Sequence, residues 1–319
     1  MPIIIGLFLA FPYLFNVDLP EMEIGNLPFE NSQFITIDGV DLHYRLWEPK
    51  GENANGNVVL IHGFGGSTFS WRYTAPFLAA NNFRVLAIDL PAFGYSDRNH
   101  VEKNKNISRS ELCWDLMEKI DSTKKWIVVG HSMGGAIANY MTNTQAEKTQ
   151  ALIMVNPAEF SSKNNLSASL FNQFFKFPPT LRWIEFLGKN QMIKEKNIEK
   201  LLVKSYGRQP SKEEIDGYFK ALNIKGTQSA IINGFVYAKK AENYELENFE
   251  KFNTLLIIGD KDEVVPPNIG KKISEKIPSS KLLQIENAGH CPMETHVEEF
   301  NNILLEFIEQ EIEKTSLLN

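Results

Sequence analysis

The chain from Phe34 onwards alternates short apolar runs with polar or glycine-rich stretches. Six runs of four residues are almost entirely apolar, and such runs are typical of strands that are buried on both faces of a sheet. The runs are Val58–Ile61, Val85–Ile88, Trp126–Val129, Leu152–Val155, Leu255–Ile258 and Leu282–Ile285. Ahead of them, residues 34–47 predict a hairpin of two half-buried strands with its turn at Asp38 and Gly39.

Helical periodicity separates most of these runs. Leu112, Leu116 and Ile120 recur at four-residue spacing, which places them on one face of a helix. Near the C-terminus, apolar residues between Val297 and Ile308 form a similar stripe. Strands that alternate with helices predict an α/β fold, in which a mostly parallel central sheet carries helices on both faces.

This alternation stops between Pro157 and Lys251. The stretch is rich in Phe, Tyr and Trp, has helical segments without a convincing strand, and is interrupted at Pro178 and Pro179. We interpret it as an inserted helical cap. The predicted organisation is an apolar N-terminal segment and linker over residues 1–30, a core over residues 31–156 and 251–319, and a cap over residues 157–250.

The N-terminal segment is nearly all apolar from Pro2 to Phe15. This run of about 14 residues is shorter than the ~18–20 residues that a bilayer-spanning helix needs, and no Lys or Arg precedes it as in a signal peptide. It fits a membrane-associated anchor or the tail of one, an apolar arm packed on the core, or a cleaved signal. We favour membrane association, with a cytoplasmic location as the alternative.

Composition narrows the function classes. Of the 319 residues, 43% are hydrophobic and 23% are charged, as in ordinary soluble globular proteins. The net charge of −6 argues against nucleic acid as a partner, because a basic excess is needed to displace counterions from phosphates. Cys113 and Cys291 are too few for a disulfide framework or a cysteine-rich zinc site. We expect neither a metal nor a cofactor.

The strongest chemical signal is the G-x-S-x-G motif at Gly130–Gly134. It directly follows a predicted strand and precedes a run compatible with a helix, which is the context of a nucleophile elbow. The elbow places Ser132 at a helix N-terminus, where backbone N–H groups favour developing negative charge. Ser132 is therefore the candidate nucleophile.

A second motif, His62–Ser67, reads HGFGGS and follows another predicted strand. Acyl transfer requires backbone N–H donors aimed at the oxyanion. We expect one from Met133, the residue after the nucleophile, and one from Phe64 in the glycine-rich loop. We interpret His62 as a structural hydrogen-bonding residue under the loop, and His131 as an unsuitable base because it neighbours the serine.

A serine needs a base to accept its proton, and the base needs a carboxylate to orient it. His290 has the required placement, on a loop between the last predicted strand and the C-terminal helix, whereas the other histidines outside the two motifs lack it; they are His43, His100 and His296. For the acid we favour Asp262 over Asp260, because two valines and a proline after Asp262 can hold its turn against the core. Glu159 is a more distant candidate.

The loop from Asp89 to Asp97 follows the strand at Val85–Ile88. It fits either the edge of a pocket or a tight turn at the end of a strand. We favour the turn, with the Asp89 carboxylate accepting hydrogen bonds from local backbone N–H groups.

These motifs resemble the α/β-hydrolase superfamily, in its cap-bearing group of serine hydrolases. The resemblance runs from about Phe34 to the C-terminus and rests on HGFGGS, DLPAFGYSD, GHSMGG, GDKDEVVP and AGHCP in this order. It implies Ser132 as nucleophile, Asp262 as acid and His290 as base, with oxyanion donors at Phe64 and Met133. One position departs from the usual D-x-x-G-x-G-x-S loop, because Ala92 stands at its first glycine. The apolar N-terminal leader also resembles bacterial membrane-associated members.

A serine at the elbow favours acyl transfer over the carboxylate attack of haloalkane dehalogenases and epoxide hydrolases. We expect as substrate a carboxylic ester with an apolar acyl or aryl group, with lipid-like esters among the candidates. Membrane contact would be made through the N-terminus. A carbon–carbon bond hydrolase or a cofactor-free perhydrolase on the same triad is the alternative enzyme. A ligand-binding protein that keeps the triad without turnover is the alternative outside catalysis.

Overall fold

The computed structural model describes residues 6, 10–14, 27–51, 53–98, 108–158, 179, 182–183, 194–224, 226–227, 230, 251–277 and 279–316. Within them the strands are β1 (Ser32–Ile37), β2 (Val40–Trp47), β3 (Asn57–Ile61), β4 (Arg84–Ile88), β5 (Trp126–His131), β6 (Thr149–Val155), β7 (Asn253–Gly259) and β8 (Lys281–Ile285). The α-helices are α1 (Thr74–Ala80), α2 (Arg109–Ile120), α3 (Met133–Thr144), α4 (Glu195–Tyr206), α5 (Lys212–Leu222), α6 (Pro267–Lys276), α7 (Pro292–Thr295) and α8 (Val297–Ser316). Short 3-10 helices cover Phe11–Leu14, Thr68–Trp71 and Ala146–Lys148.

The strands form one sheet in the order β1-β2-β4-β3-β5-β6-β7-β8. Strand β2 pairs antiparallel with β1 and β4, and every pair from β4 to β8 is parallel. Because parallel strands end at the same edge, the loops after β3, β5, β6, β7 and β8 meet there. This is the mostly parallel sheet that the sequence predicts, and it brings the candidate catalytic loops to one edge.

Side chains alternate between two apolar layers, one on each face of the sheet. On β3, Val59 and Ile61 belong to one layer, whereas Val58 and Leu60 belong to the other. Helices α2, α3 and α6 cover the first face, and α1, α8, α4 and α5 contribute to the second. Strands between two such layers have no polar face, which explains their uninterrupted apolar runs.

The predicted strands are confirmed, with one correction at the sheet edge. The hairpin turns at Asp38 and Gly39, both with positive φ, as a type I′ turn requires. The expectation that Leu282–Ile285 is buried on both faces is wrong. Strand β8 is an edge strand with a neighbour on one side only. Leu282 and Leu283 are therefore half-buried, while Ile285 is fully buried.

Helices α4 and α5 lie in the segment between β6 and β7, which we call the insert (residues 156–252). Helix α4 ends at Gly207, whose φ of +69° suits a helix C-terminus. Helix α5 begins with a capping box between Ser211 and Glu214. No strand occurs in the described part of the insert. That this insert forms a cap over residues 157–250 stays a prediction.

The apolar run over residues 2–15 is described only at residues 6 and 10–14, so most of that prediction lies outside the described residues, as do His100 and Glu159. Where it is described, Phe11 stacks on Trp183 of the insert with ring centroids 5.7 Å apart. The Arg182 guanidinium lies 5.7 Å from the Tyr13 ring centroid. Among the helices of the described ranges, none combines the length and apolarity that crossing a bilayer requires.

Candidate active site

Ser132 lies in a sharp turn between β5 and α3, with φ 52° and ψ −117°. This backbone conformation is strained for a serine, and it is tolerated because the neighbouring glycines let the chain segments approach closely. A Cβ on Gly130 would lie 2.2 Å from the carbonyl oxygen of Gly134, and a Cβ on Gly134 would lie 2.4 Å from that of His62. The G-x-S-x-G pattern is therefore a packing requirement of the turn.

Asp262 and His290 are hydrogen-bonded to each other. Asp262 follows β7, His290 follows β8, and Asp262 Oδ2 lies 2.7 Å from His290 Nδ1. The other carboxylate oxygen accepts hydrogen bonds from the N–H groups of Val264 and Val265 at 2.7 and 2.8 Å. The carboxylate is thus fixed by the turn, and an imidazole that keeps a proton on Nδ1 toward Asp262 has its Nε2 as the acceptor.

Asp260 is placed differently, although it belongs to the same turn. Its Oδ2 lies 3.8 Å from the Lys261 ammonium group, and its backbone N–H donates to the Ile285 carbonyl at 3.2 Å. Among the described residues, Asp262 is the carboxylate that His290 contacts. The role of Asp262 as the acid stays a prediction.

The serine and the histidine are both buried, with 8% and 6% of their surfaces exposed. Within the described residues, no hydrogen bond joins Ser132 Oγ to His290. Such bonds are often long in unliganded sites and tighten when substrate binds. The two segments are linked through His131, whose ring centroid lies 4.6 Å from that of His290.

His131 and His62 have structural partners. His131 Nε2 donates to the His290 carbonyl at 2.8 Å. Burial lowers the pKa of His131 well below its ordinary value, and the neighbouring His290 lowers it further. His62 Nδ1 donates to the Gly63 carbonyl at 2.7 Å while Nε2 accepts from the Leu90 N–H at 3.0 Å. The interpretation of His62 as a support beneath the loop is confirmed.

The glycine-rich loop after β3 lies directly against the elbow. A Cβ on Gly63 would be 3.1 Å from Ser132 Cβ, and Gly66 N–H donates to the Gly63 carbonyl to close a tight turn. Met133 is the first residue of α3, where a backbone N–H has no acceptor within the helix. Phe64 extends from the loop with 52% of its surface exposed and packs edge-on against Phe93. Their roles as oxyanion donors stay a prediction.

Asn156 belongs to the site, although the sequence analysis missed it. It directly follows β6 with a φ of 41°. Its side-chain amide donates to the carbonyls of Gly289 and His290 at 3.1 and 3.0 Å, and its Oδ1 accepts from the Gly259 N–H at 2.9 Å. Asn156 therefore ties β7, which precedes Asp262, to the loop that carries His290. Its position at the carboxyl end of a predicted strand was the signal that could have identified it.

The loop after β4 is the predicted turn. Asp89 accepts hydrogen bonds from the N–H groups of Thr68 and Tyr95 at 2.6 and 2.8 Å, which confirms its capping role. Ala92 has a φ of +79°, a left-handed conformation that glycine adopts without strain. The departure from the usual loop pattern therefore leaves a strained alanine in place of an unstrained glycine.

Cys291 is next to the candidate base but is not suited to replace Ser132 as nucleophile. Burial raises the pKa of its thiol well above the ordinary value, and the nearby carboxylates of Glu294 and Asp262 raise it further. A thiol must ionise to attack efficiently. This cysteine is therefore held in its neutral, unreactive form.

Comparisons with known proteins identify the fold family. A family model described as alpha/beta hydrolase fold matches residues 56–297. The uncharacterized hydrolase YugF of Bacillus subtilis is 27% identical, with 86% of this chain and 96% of that protein covered. The 2-hydroxy-6-oxo-6-phenylhexa-2,4-dienoate hydrolase of Burkholderia cepacia is 26% identical, with 87% and 96% covered.

Two further matches are an esterase and the solved structure of a probable hydrolytic enzyme. The pimeloyl-[acyl-carrier protein] methyl ester esterase of Neisseria meningitidis is 26% identical, with 81% of this chain and 78% of that protein covered. Among solved structures, a probable hydrolytic enzyme from Pseudomonas aeruginosa superposes with a TM-score of 0.68 at 20% identity, covering 90% of this chain and 96% of that one. At this identity the structural likeness supports the fold.

Proposed function

Because this chain belongs to the α/β-hydrolase fold family, a family of hydrolases, we propose that it is a serine hydrolase that cleaves carboxylic esters through an acyl-enzyme intermediate. The observation that carries the proposal is a strained serine at the N-terminus of α3, at the same sheet edge as a buried His290–Asp262 pair. A hydroxyl nucleophile with an oriented imidazole is the equipment that acyl transfer needs.

The reaction follows from these groups. His290 Nε2 accepts the Ser132 proton while Ser132 Oγ attacks the ester carbonyl, and the oxyanion binds the N–H groups of Phe64 and Met133. Collapse of the tetrahedral intermediate expels the alcohol, which takes the proton from His290. Water then attacks the acyl-enzyme, with His290 again as base, and releases the acid. Asp262 keeps the imidazole in the tautomer that both steps require.

We further propose that the insert is the cap over this site and that the acyl or aryl group of the ester is apolar. The exposed apolar side chains of Phe64 and Val264, from the loops after β3 and β7, support an apolar site. Not all aromatic residues of α4 and α5 are available to line an apolar site, because Tyr206 and Tyr218 donate hydrogen bonds to the buried Glu294.

A carbon–carbon bond hydrolase is the second candidate, supported by the likeness to the dienoate hydrolase of Burkholderia cepacia. It would use the same serine and histidine. Its substrate carries a carboxylate, so its pocket needs a cationic or hydrogen-bonding group that an apolar ester does not require.

The test is labelling with a fluorophosphonate probe, followed by turnover of a panel of aryl esters of increasing acyl length and of dienone acids. We expect labelling of the wild type and none of Ser132→Ala, because the probe reacts with an activated serine. Ester turnover with preference for apolar acyl groups supports the esterase. Turnover of dienone acids alone supports the second candidate, and failure of the folded wild type to label contradicts both.

A further inference from the structure

Glu294 is a buried carboxylate that the proposed reaction does not use. It lies in α7, four residues after His290, and its side chain is 0% exposed. An unpaired carboxylate in this position would carry a large desolvation penalty. The surrounding groups must therefore compensate its charge.

The partners of Glu294 come from both the core and the insert. Arg72 forms an ion pair with Oε2 from the segment that follows the glycine-rich loop. Tyr206, at the end of α4, donates to Oε2 at 2.7 Å, and Tyr218 of α5 donates to Oε1 at 2.5 Å. We call these four residues the Glu294 clamp. Burial raises the pKa of both tyrosines and the carboxylate raises it further, which keeps their hydroxyls protonated as donors.

The last turn of α4 also contacts the candidate base directly. The Ser205 carbonyl accepts a hydrogen bond from the His290 backbone N–H at 2.7 Å. The contact is tight, because a Cβ on Gly289 would lie 2.6 Å from the same carbonyl oxygen. Consecutive residues of α4 thus hold the base loop at two points, Ser205 at His290 and Tyr206 at Glu294.

We propose that Glu294 is a positioning residue for His290: through the clamp it docks the insert helices on the core so that the end of α4 fixes the main chain of the base. Docking of the insert and alignment of the base are then one event. The inference rests on the proposed serine hydrolase function. A misplacement of about 1 Å at a catalytic group can cost on the order of 10²-fold in rate, so a loosened clamp lowers kcat.

The test removes single hydroxyls and leaves the buried charge pair intact. Tyr206→Phe and Tyr218→Phe are compared with Tyr44→Phe, which removes a tyrosine hydroxyl that donates to Gln33 at 2.9 Å in the β1–β2 hairpin. The readouts are kcat and KM on the best aryl ester, the second-order rate of fluorophosphonate labelling, and Tm. Labelling needs an aligned His290 and no particular ester, so it reports the alignment by itself.

We expect Tyr206→Phe to lower kcat and the labelling rate together by roughly tenfold, with KM changed less than about threefold. Tyr218→Phe should do the same to a smaller extent, and Tyr44→Phe should leave both rates unchanged. If folded Tyr206→Phe or Tyr218→Phe has a lower Tm but rates equal to those of Tyr44→Phe, the clamp is only structural and the proposal is overturned. If one variant does not fold, the other decides. Absent labelling of the wild type would instead overturn the proposed function.

Discussion

The His290–Asp262 and His43–Asp89 pairs have the same internal geometry and different surroundings. In each, Nδ1 lies 2.7 Å from an aspartate Oδ2, and in each the partners are buried. His43 even has a serine at the other ring nitrogen, because Ser32 Oγ lies 2.8 Å from Nε2. By distances alone, Ser32, His43 and Asp89 form the better Ser-His-Asp arrangement.

The difference lies in what faces Nε2. Ser32 is in a regular strand, its Oγ also accepts the Phe29 N–H at 3.1 Å, and both His43 and Asp89 are 0% exposed. His290 Nε2 makes no hydrogen bond within the described residues, and it belongs to the sheet edge with the strained serine and the glycine-rich loop. A short His–Asp distance therefore fixes a tautomer, and a catalytic site additionally requires a reachable nucleophile and oxyanion donors.

The largest expected contrast comes from replacing the two aspartates. Asp262→Asn should lower kcat by roughly 10³- to 10⁴-fold, because the amide no longer holds the required tautomer. Asp89→Asn should instead destabilise the fold by about 2–4 kcal/mol, because a buried pair is broken. Ester turnover and urea unfolding measure the two effects.

Asp260→Asn is the matched control for this contrast, since it changes a carboxylate in the same turn that does not contact His290. We expect its turnover to equal that of the wild type. Comparable turnover in Asp262→Asn and the wild type would contradict the assignment and return Asp260 to consideration.

The next contrast compares the two serines. Ser32→Ala removes the hydroxyl between His43 Nε2 and the Phe29 N–H, and leaving buried polar groups without a partner costs about 1–3 kcal/mol. We expect a loss of that size in urea unfolding with unchanged labelling and turnover. A large loss of turnover in folded Ser32→Ala would show that the His43–Asp89 pair has a role in catalysis.

The smallest effect is the pH dependence of the stability that the His43–Asp89 pair contributes. Burial would raise the pKa of Asp89, but His43 and the hydrogen bond from Thr68 lower it more, so the net pKa is below the ordinary value. Such a carboxylate stabilises the fold above its unfolded-state pKa of about 3.9 and loses that contribution as pH falls through the folded-state value.

The stability difference between the wild type and Asp89→Asn should therefore be largest near neutral pH and shrink below about pH 4. Urea unfolding at a series of pH values measures it. Tyr44→Phe removes a hydrogen bond between two uncharged side chains. The difference in unfolding free energy between the wild type and this variant should therefore stay constant over the same pH range. A constant difference for Asp89→Asn would contradict the lowered pKa.

The sequence predicted the elements and loops of the site because those signals are local. A strand, a turn and a helix around Ser132 lie within a few residues of one another, and two valines after Asp262 provide the N–H groups that fix it. The partial burial of β8 was not predicted, because its apolar residues do not indicate that it lies at an edge of the sheet.

Contacts between distant segments could not be predicted in this way. Asn156 binds carbonyls more than a hundred residues away, and Glu294 meets Arg72 across most of the chain. The residues next to an asparagine or glutamate in the sequence do not show whether its side chain faces water or a buried partner. Only the packing of the sheet and the insert determines which groups they meet.

The contacts of the Asn156 amide have a consequence for the order in which the candidate site is assembled during synthesis. Ser132, in the turn that follows β5, leaves the ribosome well before the carbonyls of Gly289 and His290 to which the amide donates. At about 5–20 residues per second, the interval between Ser132 and His290 is on the order of ten seconds. During that interval the nascent chain carries Ser132 without His290, so the proposed hydrolysis requires that the last strands have joined the sheet.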